Sequence, residues 1–257
     1  MLQQTPVARV EPVWREWVRR WPTPADLAAA TGGDAVRAWG KLGYPRRAMR
    51  LHACAQALVS EHDGVVPNTV DALLSLPGVG DYTARAVACF AFGHDVPVVD
   101  INVRRVLARS VSGESDAAAP SAKRDLAAAT DVLKTVPAQR RTRLSAALME
   151  LGALVCTARS PRCGECPIAD GCAWLAAGAP SNTVAPRKVQ KFEGTDRQAR
   201  GRLLDVLRAA HGAVPRASLD LAWERDPAQR DRALDSLLTD GLIEQTADGR
   251  FALAGES

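Results

Sequence analysis

The side chains best suited to metal chemistry are four cysteines that fall within one short segment. Cys156, Cys163, Cys166 and Cys172 follow the spacing C-x6-C-x2-C-x5-C. Four thiolates on one loop can hold either a tetrahedral zinc ion or an iron–sulfur cluster, and thiolate ligands suit both. Zinc sites usually contain two C-x2-C pairs and this loop contains one. The spacing therefore favours a cluster over zinc or over four free thiols.

Two arginines, Arg159 and Arg162, lie on the six-residue stretch between the first two of these cysteines. A metal that fixes the loop would also fix the direction in which their guanidinium groups point. Because a guanidinium group binds phosphate through paired N–H donors, we expect both arginines to contact a phosphate backbone.

A second pattern, Leu76-Pro77-Gly78-Val79-Gly80, lies between two predicted helices. Glycine at such a turn lets the backbone take a positive φ and approach a ligand closely. Amide groups at the start of the following helix would then point at an anion. The pattern is typical of a helix-hairpin-helix that binds DNA phosphates without reading sequence. The alternative is an ordinary turn between two helices.

A carboxylate, Asp100, follows Gly80 at the end of a short extended segment and at the start of a basic helix. Taken alone, this position is typical of a helix N-cap. After a phosphate-binding hairpin, a carboxylate at a helix start can instead face the sugar of a bound nucleotide. Both interpretations stay open at this point.

The elements that must position these residues are short helices. Thr5 and Pro6 predict the start of the first helix, whose tryptophans we expect in the core. Gly32 and Gly33 are expected to end a second helix, and Asp34 to cap a third. Further helices are predicted at 46–63, 68–75, 83–92 (buried), 101–111, 121–136 and 140–155.

Beyond the cysteines, composition predicts a linker and then three helices at 197–210, 218–223 and 227–240. Two apolar segments flank an Asp248-Gly249 turn, which is a hairpin signal. The predicted fold class is therefore all-α, with a small C-terminal module that resembles a winged helix. The expected domains are a core at 1–155, a metal loop at 156–175, a linker at 176–190 and the C-terminal module at 191–257.

Composition limits the function classes. The chain has 257 residues, of which 47% are hydrophobic and 24% charged, with a net charge of +4. No apolar run is long enough to span a bilayer and no secretory signal is visible, so we expect no membrane partner. Three runs rich in arginine suggest a polyanion partner, the alternative being solvated helix faces. The runs are residues 37–50, residues 104–109 and residues 134–143.

Together these patterns resemble the helix-hairpin-helix DNA glycosylases that carry a [4Fe–4S] cluster. Within them the chain is most similar to MutY-type adenine DNA glycosylases. The matching segments are MLQQT at 1–5, KLGY at 41–44 in place of GLGY, and MELGALVCT at 149–157. The resemblance covers roughly residues 1 to 175 and implies release of adenine mispaired with 8-oxoguanine or guanine in double-stranded DNA. Such enzymes flip the base out of the duplex, because a stacked base cannot be reached.

The resemblance also implies residue roles. Asp100 would stabilise the cationic sugar that forms as the base leaves, and Asn102 would support that aspartate. Tyr82 occupies the place of the catalytic lysine in endonuclease III-like relatives, so base removal without strand cleavage is expected. Gln4 and Thr5 match residues that wedge into the duplex and contact the oxidised guanine.

Three departures qualify the resemblance. In the family a catalytic glutamate stands two residues before the methionine of MLQQT, which here is Met1. We expect that the true start lies upstream; a truncated form that binds DNA but scarcely cleaves adenine is the alternative. Residues 180 to 257 are too short for the family's β-rich C-terminal domain. Ile101 also replaces the usual glycine.

Two other functions remain as alternatives. The chain could be a mismatch glycosylase for thymine or uracil opposite guanine, or a non-catalytic DNA-binding module. We expect a monomer located in the bacterial cytoplasm and associated with the nucleoid.

Overall fold

The computed structural model describes residues 1–3, 5–180 and 192–257, and the predicted Gln4 contact and most of the predicted linker lie outside these residues. The described chain is predominantly helical, which confirms the predicted class. None of its helices combines the length and apolar character that a bilayer crossing needs. The helices are α1 Val7–Arg20, α2 Pro24–Ala29, α3 Gly32–Trp39, α4 Arg46–Glu61, α5 Val70–Ser75, α6 Asp81–Phe90, α7 Ile101–Ser110, α8 Ala122–Leu133, α9 Ala138–Leu154, α10 Ala173–Ala176, α11 Asp196–Ala209, α12 Arg216–Asp220 and α13 Pro227–Thr239.

The chain divides into two compact units. The first contains Met1–Pro67, Leu76–Gly78 and the described C-terminal residues, and the second contains Asn68–Ser75 and the described residues from Val79 onward to 180. The hairpin pattern at 76–80 is therefore divided between them, and the four cysteines belong to the second unit.

The N-terminal helices and the C-terminal module build an apolar core in the first unit. Trp17 and Trp39 meet edge to face at 5.7 Å within it, and Leu203 and Leu237 from α11 and α13 belong to the same cluster. Arg37 of α3 donates to the Leu207 carbonyl near the end of α11 at 3.2 Å. Burial of this shared apolar surface is the main stabilising term for the unit.

The C-terminal module has the three predicted helices and the predicted hairpin. Strand β1, Ile243–Gln245, pairs antiparallel with β2, Phe251–Leu253. Gly249 takes φ +81° in the turn between them, a conformation that glycine adopts without strain. Val214 adds an isolated bridge to Phe251.

Two local predictions in the first unit are wrong. Asp34 is the fourth residue of a capping box with Thr31, which exchanges hydrogen bonds with it, so α3 begins at Gly32 and not after Asp34. Thr5 does not cap α1: its hydroxyl accepts a hydrogen bond from Arg47 at 3.0 Å and donates to the Gln3 carbonyl. In both places the hydrogen-bond partner of the side chain, and not residue type alone, decides whether the residue caps a helix.

The tryptophan prediction holds only in part, because Trp17 is buried while Trp14 is half exposed. The helix predicted as buried at 83–92 is likewise one-sided. In α6, Ala84, Ala88 and Cys89 are buried, whereas Phe90 is exposed. Apolar composition alone overstated the burial of both helices.

In the second unit, α7 packs along α9, and residues of α7 form most of the buried apolar cluster between them. Val103, Val106 and Leu107 of α7 are buried with Leu148 of α9. The two helices approach closely at Gly152, where an added Cβ would lie 2.7 Å from the Asn102 Cβ. This contact positions the start of α7, where Asp100 lies.

Candidate active site

Asp100 is the N-cap of α7, as its sequence position predicts. Its Oδ1 accepts a hydrogen bond from the Val103 backbone N–H at 2.8 Å, and its Oδ2 accepts one from Asn102 Nδ2 at 2.9 Å. A carboxylate held by two donors at a helix N-terminus has a fixed orientation. Asp100 is only partly buried, so the capping residue remains accessible to a ligand.

Asn102 connects Asp100 to a buried arginine. Its Oδ1 accepts from Arg105 Nη2 at 2.9 Å, and the same guanidinium donates to the Gly152 carbonyl at 2.6 Å and to the Cys156 carbonyl at 2.8 Å. Because the Asn102 amide donates on one side and accepts on the other, its orientation is determined. Side-chain hydrogen bonds therefore lead from Asp100 to the first cysteine of the loop.

A cavity of about 380 Å³ lies beside these groups and opens widely to solvent. Two of its lining residues, Asp100 and Asn102, come from the start of α7. The others are Phe90, Ala146, Met149, Glu150 and Ala153. A cavity with apolar walls and a few converging polar groups is the usual form of a small-ligand site, and this one is large enough for a planar heterocycle.

Tyr82, near the start of α6, is electrostatically coupled to Asp100. Burial raises the pKa of the Tyr82 phenol, and the negative charge of Asp100 raises it further. The phenol thus stays protonated at neutral pH, when it is a hydrogen-bond donor and a poor nucleophile. Tyr82 keeps 40% of its surface exposed, so it does not lie wholly in the core.

The four cysteines line one apolar cavity in the second unit, with α7 on one side and two short 3-10 helices, Cys163–Glu165 and Ala169–Gly171, between the ligands. Burial raises the pKa of the Cys163 thiol, and the other three cysteines raise it further, so the sulfurs are near one another. Within the described residues, no three or more His, Cys, Asp or Glu side chains lie close enough together to hold a single metal ion. The donor set fits a larger group in which each iron takes one cysteine.

Arg105 and Arg109 are buried and hold the start of this loop. Arg109 donates to the carbonyls of Thr157 and Ala158 at 2.8 and 3.1 Å and to Cys156 Sγ at 3.4 Å. Its guanidinium also lies 4.9 Å from the ring centroid of Trp174, within cation–π range. A guanidinium beside a cysteine sulfur stabilises the negative charge that metal binding requires.

The interpretation of residues 104–109 as a polyanion-binding run is therefore wrong. Arg105 and Arg109 donate to buried carbonyls, and Arg104 pairs with Asp125 at 2.7 Å. Arg37, from the first run, is also used internally, because it binds Glu256 of the C-terminal module. Charge spacing along the chain did not distinguish these roles from a surface patch.

The two arginines predicted to face phosphate have different surroundings. Arg159 is exposed and makes no hydrogen bond or ion pair within the described residues. Arg162 donates to the Leu154 carbonyl at 2.6 Å and pairs with Glu165 at 2.9 Å. Of the two, Arg159 is the freer to bind an anion.

The hairpin has the backbone that its sequence predicts. Gly78 takes φ +77°, and an added Cβ would lie 2.7 Å from the Arg50 Cβ, so only glycine fits there. Leu76 is buried and anchors one side of the turn. Gly80 is the N-cap of α6, and glycine has no side chain that could cap the amides of the first turn.

Thr5, predicted to contact the duplex, is buried, and the hydroxyl–Arg47 bond ties down the N-terminal segment. Arg47 also donates to the Met1 carbonyl and lies 5.1 Å from the Trp39 ring centroid. Nearby in sequence, Tyr44 is exposed at φ +49°, an unusual backbone conformation for a tyrosine. Sequence reasoning did not single out Tyr44 or Arg47, although KLGYPRR joins a glycine turn to an aromatic and basic residues.

Two family models match this sequence. The model of HhH-GPD superfamily base excision DNA repair proteins matches residues 1–130, and the iron-sulfur binding domain of endonuclease III matches residues 156–172. The second match has the same bounds as the segment from the first to the fourth cysteine.

Among curated proteins, the adenine DNA glycosylase of Mycolicibacterium smegmatis is 63% identical over this whole chain, which covers 85% of that protein. The Mycobacterium tuberculosis protein of the same name is 62% identical, also over the whole chain, which covers 83% of it. The human adenine DNA glycosylase is 41% identical over 67% of this chain, which covers 31% of the human protein.

Two solved structures are similar. A thermostable thymine-DNA glycosylase gives a TM-score of 0.63 at 26% identity, with 68% of this chain and 80% of that chain covered. Endonuclease III trapped in a covalent complex with DNA gives a TM-score of 0.59 at 25% identity, with 70% of this chain and 82% of that chain covered.

Proposed function

Because the chain belongs to the adenine DNA glycosylases of the HhH-GPD superfamily of base excision DNA repair proteins, we propose that the Asp100 cavity is where it holds adenine for excision. The observation that carries this proposal is the cavity itself, which places Asp100 and Asn102 beside apolar walls. Adenine must leave the base stack before any side chain can reach its glycosidic bond, so a receiving cavity is a physical requirement.

Asp100 stabilises the reacting sugar. As the C1′–N9 bond breaks, its electron pair leaves with the base and positive charge develops on the sugar ring. A carboxylate already oriented by the Val103 N–H and Asn102 stabilises that charge without reorganisation. The departing base takes up a proton, and water adds to C1′ with loss of a proton, leaving an abasic site.

Tyr82 makes the enzyme monofunctional. An amine at this place would form an imine with the sugar and lead to strand cleavage, and a phenol cannot do so. The raised pKa of Tyr82 keeps its O–H available as a donor next to Asp100. The product is therefore an abasic site in an intact strand.

The hairpin and the cysteine loop bind the DNA backbone on both sides of the lesion. The start of α6, where Gly80 provides no side-chain cap, and the exposed Arg159 offer a helix N-terminus and a guanidinium group to phosphates. Cys156, Cys163, Cys166 and Cys172 hold the [4Fe–4S] cofactor, which fixes the loop that presents Arg159. Contacts of this kind position the duplex and carry no sequence information.

The substrate is adenine opposite 8-oxoguanine or guanine. The N-terminal segment that resembles the family's wedge is held in place by Arg47, which donates hydrogen bonds to the Thr5 hydroxyl and to the Met1 carbonyl. Exposed Tyr44, held in its strained turn, suits stacking against a base.

Single-turnover assays on five matched duplexes test this proposal. The target pairs are adenine opposite 8-oxoguanine, guanine or thymine, and thymine or uracil opposite guanine. Excision of adenine opposite the two guanine bases, with alkali needed to break the strand, supports it. Preferential excision of thymine or uracil would instead establish the alternative specificity.

A further inference from the structure

Of the three lining residues of the Asp100 cavity with a polar side chain, Glu150 is the one that takes part in no helix cap and in no hydrogen bond described above. It projects from α9 on the same face as Ala146, Met149 and Ala153, since residues at this spacing lie on one side of a helix. Within the described residues its carboxylate makes no hydrogen bond and no ion pair. It is exposed, so its charge is solvated until a ligand enters.

The other two polar residues of the cavity are already engaged. Asp100 accepts from the Val103 N–H and from Asn102, and the Asn102 oxygen accepts from Arg105. The remaining lining residues, Phe90, Ala146, Met149 and Ala153, have no polar side-chain atom for a base edge. A base that enters this cavity therefore meets one carboxylate, that of Glu150, whose acceptor sites are all free within the described residues.

We infer that Glu150 is a specificity-determining residue that accepts a hydrogen bond from the exocyclic amino group of the flipped adenine. An ionised carboxylate can only accept hydrogen bonds, so it is complementary to an amino group. The same oxygens repel the keto oxygen that guanine or hypoxanthine carries at that position, which adds discrimination against those bases. This inference rests on the proposed use of the Asp100 cavity as the base pocket.

The test compares binding of two duplexes that cannot be cleaved. Both carry a 2′-fluoro-2′-deoxynucleotide opposite 8-oxoguanine, one with adenine as the base and the other with purine, which lacks the amino group. A hydrogen bond to a charged acceptor corresponds to about 10-fold or more in affinity, so the wild-type protein is expected to prefer the adenine duplex by that factor.

Glu150→Ala is expected to bring the ratio of the two affinities close to one, mainly by weakening the adenine duplex. Glu150→Gln keeps an acceptor oxygen but no charge, so its affinity ratio is expected to lie between those of the wild type and Glu150→Ala. The control is Glu114→Gln, which changes an exposed glutamate of the same unit outside the cavity and should keep the wild-type ratio.

A wild-type ratio near one, or a wild-type ratio that persists in Glu150→Ala, would overturn the inference. An equal change in affinity for both duplexes would also overturn it, because that is a general charge effect. Asp100→Asn separates this failure from failure of the pocket assignment. If it abolishes adenine excision while Glu150→Ala keeps the ratio, the pocket stands and the role of Glu150 falls.

Discussion

The Asn102 side chain joins Asp100 to Arg105, donating to the carboxylate at 2.9 Å and accepting from the guanidinium at 2.9 Å. Arg105 in turn donates to the carbonyl of Cys156, the first cysteine of the metal loop. The carboxylate assigned to catalysis and the loop assigned to the cluster are thus joined by three side chains, each of which has its polar groups oriented by the next.

Asn102→Ala should impair excision more than binding. The change removes one of the two donors that orient Asp100 and leaves Arg105 with one acceptor fewer. A hydrogen bond to a charged group contributes about 1.5–3 kcal/mol, so we expect a single-turnover rate lower by on the order of 10–100-fold. Affinity for an uncleavable duplex should stay within a few-fold. A rate equal to wild type would show that Asn102 does not orient the aspartate.

Gly152→Ala should destabilise the second unit and displace Asn102. The new Cβ would lie 2.7 Å from the Asn102 Cβ and 2.9 Å from its carbonyl oxygen, so the backbone of α7 must move. Overpacking of this kind costs about 1–3 kcal/mol. The midpoint temperature of thermal unfolding and the excision rate should both fall. Gly201→Ala is the matched control, since nothing lies within 4 Å of its added Cβ. It is expected to be neutral or stabilising, and equal losses in both variants would contradict the close-contact explanation.

Cys166→Ser should remove the cluster and weaken DNA binding. Purified wild-type protein is expected to contain about four irons per chain. The variant should lose most of this iron, and its loop should no longer present Arg159 in a fixed position. Cys54→Ser changes a buried cysteine outside the loop and should retain the iron. Stoichiometric zinc in place of iron in anaerobically purified wild type would refute the cluster assignment.

Tyr82 should ionise at lower pH once the charge of Asp100 is removed. Burial raises the pKa of the phenol first and the Asp100 carboxylate adds to it, so Asp100→Asn removes the second cause and leaves the first. The chain has two tyrosines, which makes an ultraviolet titration interpretable. Tyr82→Phe identifies which of the two ionisations moves. An unchanged Tyr82 titration in Asp100→Asn would mean that the two side chains are not neighbours.

The sign of the associated stability change follows from the same shift. Because the folded-state pKa of Tyr82 lies above its unfolded value of about 10, the folded protein retains that proton longer as pH rises. The stabilisation from the neutral phenol is complete below about pH 10 and is lost as pH rises through the folded value. Tyr82→Phe should therefore reduce the loss of stability above about pH 10.

The sequence was sufficient to predict features that depend on local spacing. The cysteine segment, the turn at Gly78 and the N-cap position of Asp100 all follow from residues within a few positions of each other. The same holds for the C-terminal hairpin, whose turn contains Gly249.

The remaining features depend on partners distant in sequence. Arg105 binds a carbonyl 51 residues away, so its position in a basic run could not distinguish a buried structural role from a DNA contact. Asp34 lies inside α3 because Thr31, three residues before it, caps the helix. Glu150 could not be identified from the sequence, because only the packing of α9 along α7 brings it to the cavity that contains Asp100.

The most direct measurement of the central claim is single-turnover excision of adenine opposite 8-oxoguanine by Asp100→Asn. The amide is nearly isosteric and keeps an oxygen to cap α7, but it lacks the negative charge. We expect the rate to fall by on the order of 10²–10³-fold or more, with affinity for an uncleavable duplex preserved. Asp131→Asn, at an exposed position of α8, should leave the rate unchanged. An Asp100→Asn rate within a few-fold of wild type would show that this carboxylate does not stabilise the reacting sugar, and the cavity beside it would no longer be the site of adenine excision.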